Sequence, residues 1–201
     1  MLCRDRVITW HLPLAGEIKL NTDGSFYNPK KSGFGGVFRD SSGSWILGFY
    51  GKAESSSSLE AEIWALYRGL QIILDKGMSN VKIESDSSVA VQYLQQGTPP
   101  DNATSGAGVV GEQIKARVAM WIKAKFNIKV YTVEDFKEAR RVAAGTNSSF
   151  SHIFRQANQT VDCLAHLGSQ QEDDLIVTRN VPFAAREFVM ADALGVGHLR
   201  V

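Results

Sequence analysis

The chain has 201 residues, a formal net charge of +1 and a hydrophobic fraction of 44%, which is enough apolar surface for one packed core. The small net charge excludes binding of nucleic acid through an overall basic field and leaves only a local patch for that purpose. Two cysteines are too few for a disulfide framework or a zinc cluster. No apolar run reaches the roughly 18 residues that a membrane span needs, so we expect no membrane association.

The first half of the chain predicts three strands, followed by alternating helix and strand. Alternation of apolar and polar residues predicts antiparallel strands at 17–23, 33–39 and 45–52. Apolar residues three and four positions apart then predict a helix at 57–76, and a strand at 81–85 and a helix at 87–96 follow it. Because strand–helix–strand connections are right-handed, this order favours a mixed sheet.

The second half is less regular. Residues 101–133 do not continue the pattern, whereas residues 135–144 read as a helix. We further predict a strand at 149–155, a helix at 158–167 with Asn158 as its N-terminal cap, an acidic linker at 170–174, and a last helix from Pro182 to about Leu194.

Four carboxylates are candidates for a functional site: Asp23, Glu60, Asp86 and Asp162. Each has an ordinary structural explanation when it is taken alone. Asp23 precedes a glycine and could form a turn, and Glu60 could complete a capping box with Ser57. Asp86 could cap a helix, and Asp162 could favour a helix dipole.

Together the four carboxylates favour a catalytic interpretation. Asp23 and Asp86 end strands that we expect to lie side by side, so they would meet at the carboxyl edge of the sheet. Glu60, one turn into its helix, can reach the same edge, and Asp162 can complete the site. Four converging acids repel one another unless divalent cations lie between them, as in a two-metal phosphodiester site.

Longer motifs carry a resemblance to a known family. The chain resembles a ribonuclease H type-1-like domain and, more narrowly, the reverse-transcriptase-like modules of plant genomes that are related to the ribonuclease H of non-LTR retrotransposons. The similarity covers about residues 10–100 and 135–170. Its motifs are Lys19–Ser25, Gly33–Asp40, Glu60–Leu66, Glu84–Ser87 and Phe150–Ala165.

This resemblance implies an α/β fold, in which a five-stranded mixed sheet of three antiparallel strands and then parallel strands is flanked by helices. It also implies hydrolysis of the RNA strand of an RNA–DNA hybrid with two Mg²⁺ ions, for which Mn²⁺ can substitute. Asp23 would then contact both ions, Glu60 and Asp86 the ion on the leaving-group side, and Asp162 the ion on the nucleophile side.

The same resemblance suggests which residues bind the nucleic acid. Backbone groups of Gly24 and Ser25, together with the Glu60 side chain, are candidates for contacts to 2′-hydroxyls. Arg155 would contact phosphate, and Asn158 belongs to the same loop. We expect a monomer that needs no protein partner. We also expect it to be intracellular. The sequence shows no clear basic import cluster and therefore does not identify the compartment, of which the nucleus is one candidate.

Two departures from the family leave alternatives open. The loop before Asp162 lacks the histidine of bacterial ribonucleases H, and 76 residues separate Asp86 from Asp162, so about 104–133 is interpreted as an insertion. We therefore divide the chain into a lead-in at 1–15, the ribonuclease H-like domain at 16–170, and a C-terminal linker and helix at 171–201. The alternative function is a catalytically weak or inactive retroelement module that binds nucleic acid. A related 3′–5′ exonuclease is disfavoured, because the first strand lacks an Asp-X-Glu pair.

Overall fold

The structure, a computed structural model, describes residues 6–55, 57–96 and 140–200. The predicted insertion at 104–133 lies outside these residues. The strands are β1 (Arg6–Ile8), β2 (Ile18–Asn28), β3 (Lys31–Arg39), β4 (Trp45–Lys52), β5 (Val81–Ser85), β6 (Ser149–His152), β7 (Ile176–Thr178) and β8 (His198–Arg200). The helices are α1 (Ser58–Lys76), α2 (Ser88–Gln96), α3 (Gln159–Ser169) and α4 (Arg186–Ala193), with 3₁₀ turns at Arg155–Ala157 and Phe183–Ala185. Residues 140–145 are also helical.

The main sheet has the strand order β6-β5-β2-β3-β4-β7. Strands β2, β3 and β4 form the antiparallel meander, and β5 and β6 add to it in parallel orientation. The predicted mixed sheet is therefore confirmed, but it has six strands rather than five. The sixth strand, β7, pairs with β4 and lies in the tail that we interpreted as a linker and a helix.

Helices cover both faces of the sheet. On one face, α1 and α2 bury a large apolar cluster that includes Leu20, Phe34 and Phe38. On the other face, α3 packs Val161 and Leu164 against Val37 of β3. Successive strand residues point to opposite faces, which explains why Val37 and Phe38 belong to different clusters. No helix among the described residues is long and apolar enough to cross a membrane.

Both ends of the described chain pack onto this core. Strands β1 and β8 form a two-stranded antiparallel sheet. Trp10 is buried; its indole N–H donates to Asn21 Oδ1 (3.0 Å), and the Arg39 guanidinium lies 3.6 Å from its ring centroid. Arg39 also forms a 2.6 Å ion pair with Asp192 of α4. The segment predicted as a lead-in at 1–15 thus contributes a strand and a core tryptophan.

Gly24 permits the close approach of β2 to α1. A Cβ atom at this position would lie less than 3.0 Å from the backbone of Ala61 and Glu62. Neither backbone segment can move without separating the helix from the sheet.

We therefore expect Gly24→Ala to lower the free energy of unfolding by about 3 kcal/mol, through overpacking against rigid backbone. Urea unfolding followed by circular dichroism measures this change. Gly145→Ala is the matched control, because a Cβ there meets nothing within 4 Å, and we expect it to be nearly neutral. Equal stability of the two variants would contradict the assigned packing.

Candidate active site

Two of the predicted acids meet at the edge of the sheet, as the strand order requires. Strands β2 and β5 are parallel neighbours, with Thr22 beside Ser85. Asp23 and Asp86 each follow one residue later, so both side chains lie where the parallel pair separates. The Asp23 carboxyl is buried, whereas Asp86 is partly exposed.

The third acid of this group is Glu62 of α1. One carboxylate oxygen from each of Asp23, Glu62 and Asp86 lies within 4.8 Å of the others. We refer to these three residues as the acidic cluster. Glu60, which the sequence analysis placed in the site, is not a member of it.

The correction from Glu60 to Glu62 has a simple geometric reason. Residues two apart on a helix point about 200° away from each other, so only one of the two glutamates can face the sheet edge. Glu62 lies on the same stripe of α1 as the buried residues Leu66 and Ile73. At Glu60 the backbone N–H donates to Ser57 Oγ (3.2 Å), which is the capping contact that the sequence suggested. Burial does not distinguish the two glutamates, because Glu60 is buried as well, so no local sequence signal identifies Glu62 as the residue that faces the sheet edge.

Neighbouring groups hold the acidic cluster in place. Glu62 accepts hydrogen bonds from the Ser85 hydroxyl (3.5 Å) and from the backbone N–H of Gly24. Asn158 donates from Nδ2 to the Thr22 carbonyl (3.0 Å) and to Asp86 Oδ1 (3.4 Å). The carboxylates are therefore oriented before any ligand arrives, which is what a metal site requires of its supporting residues.

The electrostatics of the acidic cluster favour protonation when no cation is present. Burial, followed by the charges of Glu62 and Asp86, raises the pKa of Asp23 well above its usual range. Burial and the charge of Asp86 raise the pKa of Glu62 to about 8. Buried carboxylates that repel one another in this way are stabilised in the ionised form by a divalent cation. Three oxygen donors at this spacing fit Mg²⁺ or Mn²⁺.

These pKa values predict how stability depends on pH. Below about pH 4.5, the usual pKa of Glu62, the carboxyl is protonated in both the folded and the unfolded chain. As the pH rises towards 8, the unfolded chain releases this proton while the folded chain retains it, so the free energy of unfolding of the metal-free protein falls. We expect millimolar Mg²⁺ to raise the melting temperature more at pH 8 than at pH 5. Calorimetry with EDTA or Mg²⁺ tests this, and an equal Mg²⁺ effect at both pH values would contradict it.

Asp162 lies beside the acidic cluster and not within it. It occupies the first turn of α3, is partly exposed, and accepts a 2.8 Å hydrogen bond from Arg155 Nη2. Its negative charge still contributes to raising the pKa of Asp23. The structure therefore brings Asp162 to the edge of the site, already paired with a cation.

The residues predicted to bind nucleic acid have different surroundings. Arg155 is exposed, and Ser25 is partly exposed. The backbone N–H of Gly24 is engaged by Glu62. Asn158 is only 2% exposed and does not cap α3 with its side chain, so its predicted contact with nucleic acid is corrected to a role inside the protein.

Comparison with known proteins identifies a matching protein family and a similar plant protein. The family described as "Reverse transcriptase-like" matches residues 21–129. A protein of Arabidopsis thaliana named "Putative ribonuclease H protein" is 40% identical over 94 residues. This match spans 46% of the present chain but only 15% of the length of that relative.

Solved structures identify the fold. The RNase H1 of Halobacterium salinarum superposes with a TM-score of 0.56 at 18% identity, covering 77% of this chain and 98% of that one. LC11-RNase H1, crystallised in complex with an RNA/DNA hybrid, gives a TM-score of 0.52 at 21% identity over 77% and 97% of the two chains. At these identities the likeness establishes the fold alone. The predicted ribonuclease H-like α/β fold is thereby confirmed.

Proposed function

The chain belongs to the reverse transcriptase-like family, and on that premise we propose that it hydrolyses the RNA strand of RNA–DNA hybrids with the help of divalent metal ions. The observation that carries this proposal is the convergence of three carboxylate oxygens within 4.8 Å of one another. A buried group of acids is costly to the fold, so its presence at the carboxyl edge of the sheet favours a functional role.

In this proposal Asp23, Glu62 and Asp86 hold Mg²⁺. The bound cations would supply the positive charge that stabilises the phosphodiester transition state. Glu62 stays fixed through its bonds to Ser85 and Gly24, and Asp86 is held by Asn158. Side chains oriented in this way need little reorganisation when the substrate phosphate arrives.

Asp162 and Arg155 take the outer side of the proposed site. Asp162 is partly exposed and can orient water, whereas the Arg155 guanidinium adds a positive charge near a cluster that would otherwise repel phosphate. The hydrogen bond and charge of Asp162, followed by the charges of Asp23 and Asp86, raise the pKa of Arg155, so the guanidinium lies within electrostatic reach of the acidic cluster.

The proposed substrate is an RNA–DNA hybrid. The matched family and the relative named as a ribonuclease H protein support this choice, and LC11-RNase H1 has been crystallised with such a hybrid. Selection of RNA would depend on hydrogen bonds to 2′-hydroxyls in the wide minor groove. Ser25, two residues beyond Asp23 on β2, is a candidate for such a contact.

The test is cleavage of matched 20-mer substrates with either strand labelled, in Mg²⁺, Mn²⁺ or EDTA. We expect cutting of the RNA strand of the hybrid, dependence on the metal, and no cutting of duplex DNA. Asp23→Asn, purified in parallel, controls for contaminating nuclease. Cutting that survives EDTA, or that is equal in the variant, would reject the proposal.

A second candidate is a module that binds hybrids without cutting them. The observation in its favour is the Arg155–Asp162 ion pair, which neutralises the fourth acid outside the acidic cluster. Folded protein that binds the hybrid with a steep salt dependence, yet shows no turnover in Mg²⁺ or Mn²⁺, would select this candidate.

A further inference from the structure

The turn between β2 and β3 presents an aromatic ring and two lysines beyond the acidic cluster. We call Tyr27, Lys30 and Lys31 the hairpin tip. Tyr27 is 79% exposed, and among the described large hydrophobic residues only Phe183, at 84%, is more exposed. Lys31 Nζ lies 5.6 Å from the centroid of the Tyr27 ring. Lys30 and Lys31 are both exposed.

Local structure explains why Tyr27 points outwards. The pairing of β2 with β3 shifts between Phe26 and Asn28, so Tyr27 is the extra residue of a β-bulge. A bulge bends its strand and redirects a side chain. The turn that follows is braced, since Asn28 Oδ1 accepts hydrogen bonds from the backbone N–H groups of Lys30 and Lys31, each at 3.0 Å.

The position and charge of the hairpin tip indicate its partner. Tyr27 is four residues beyond Asp23 on the same strand, about 13 Å along β2. A nucleic acid whose phosphate lies at the acidic cluster extends further than this distance, so its backbone can reach the hairpin tip. Between Asp23 and Asp40 the sequence contains no carboxylate, and Lys30 and Lys31 are its exposed cations, because Arg39 is buried and paired with Asp192. Polyanionic backbone is the chemistry that such a tip would recognise.

We propose that the hairpin tip is a second contact surface for the hybrid, at which Lys30 and Lys31 bind backbone phosphates and the Tyr27 ring packs on sugars a few base pairs from the cut. This inference rests on the proposed function, because it takes the hybrid as the partner. The tip supplies a local positive patch in a chain whose net charge is only +1.

The test measures hybrid binding by fluorescence anisotropy in Mg²⁺ across a salt series, with Asp23→Asn as the parent so that the substrate stays intact. Lys30→Ala and Lys31→Ala are each expected to lower the slope of log K against log salt by about 1. Tyr27→Ala should weaken binding about tenfold, and Tyr27→Phe should retain most of the affinity.

Two control variants match the tip variants in chemistry but lie elsewhere. Lys76→Ala removes the same charge from the far end of α1, about 21 Å beyond Glu62, and Phe183→Ala removes the other highly exposed ring. Neither should change binding. Affinities and slopes of the tip variants equal to those of the controls would overturn the inference.

The outcomes also separate this inference from the proposed function. A parent that binds the hybrid, together with tip variants that bind equally well, rejects the tip alone. Tip variants that bind more weakly than the parent, together with a wild type that does not cut the hybrid, support the tip and reject the nuclease. A folded wild type that neither cuts nor binds the hybrid rejects both.

Discussion

Glu62→Gln should lower the rate of RNA-strand cleavage about a thousandfold, whereas Glu60→Gln should keep most of the activity. Loss of one charged metal ligand removes roughly 4 kcal/mol of transition-state stabilisation, which corresponds to that factor in rate. Only Glu62 shares the acidic cluster with Asp23 and Asp86. The two glutamates are two residues apart on α1 and both buried, so each variant is a matched control for the other.

Single-turnover cleavage of a labelled hybrid measures both rates at a Mg²⁺ concentration that saturates the wild type, and circular dichroism verifies that both variants fold. Raising the Mg²⁺ concentration should partly rescue Glu62→Gln, because the remaining carboxylates bind the ion more weakly. If Glu60→Gln lost activity while Glu62→Gln kept it, the ligand assigned from the sequence would be right and the assignment from the structure wrong.

Asp23→Asn should abolish cleavage and, at the same time, stabilise the metal-free protein at pH 8. Asp23 is buried among Glu62, Asp86 and Asp162, and all of these negative charges raise its pKa. A neutral amide of the same shape removes that repulsion, so we expect a gain on the order of 2 kcal/mol in the free energy of unfolding. In saturating Mg²⁺ the wild type should instead be more stable than Asp23→Asn, because only the wild type gains the full binding energy of the ion.

Urea unfolding at pH 8 in EDTA, repeated in Mg²⁺, measures both effects. Asp40→Asn is the control, since hydrogen bonds from Ser42 and Ser44 lower the pKa of that exposed carboxyl. Losing a favourably placed charge should leave Asp40→Asn no more stable than the wild type. An Asp23→Asn variant that is less stable than the wild type in EDTA would show that the acidic cluster is not under electrostatic strain.

The sequence predicted that Asp23 and Asp86 meet at the edge of the sheet, because the positions of their strands follow from local sequence patterns. Alternation of residue types located the strand that carries Asp23, and a short apolar run located strand β5, which has the predicted bounds 81–85 and is followed by Asp86. Parallel neighbours then necessarily bring their carboxyl ends together. The pairing of Asp23 with Asp86 thus required only the strand order.

The remaining features depend on information that local patterns do not contain. Choosing Glu62 over Glu60 required the rotational phase of α1 against β2, which the contact at Gly24 sets. Strand β7 has three residues, too few for a recognisable period. Asn158 reads as a helix cap from its neighbours, and only the fold shows that its amide points inwards to Thr22 and Asp86.

Polar pairs between residues distant in sequence could not be predicted from local patterns either. Arg39 closes a strand and would be expected at the surface, yet it is 1% exposed. Its partner Asp192 is 153 residues away in sequence, and Thr160 of α3 donates to the same carboxylate. A buried charge is stable only with such partners, and no local pattern identifies a partner so distant in sequence.

Cleavage is proposed to depend on a metal ion that Asp23, Glu62 and Asp86 hold together. The most direct measurement is an anomalous difference map from crystals of the protein soaked in Mn²⁺. We predict a peak within coordination distance of all three carboxylates, and its loss in Asp23→Asn crystals. No peak at this edge of the sheet, or a peak beside Glu60 instead of Glu62, would show that these three carboxylates do not hold the metal.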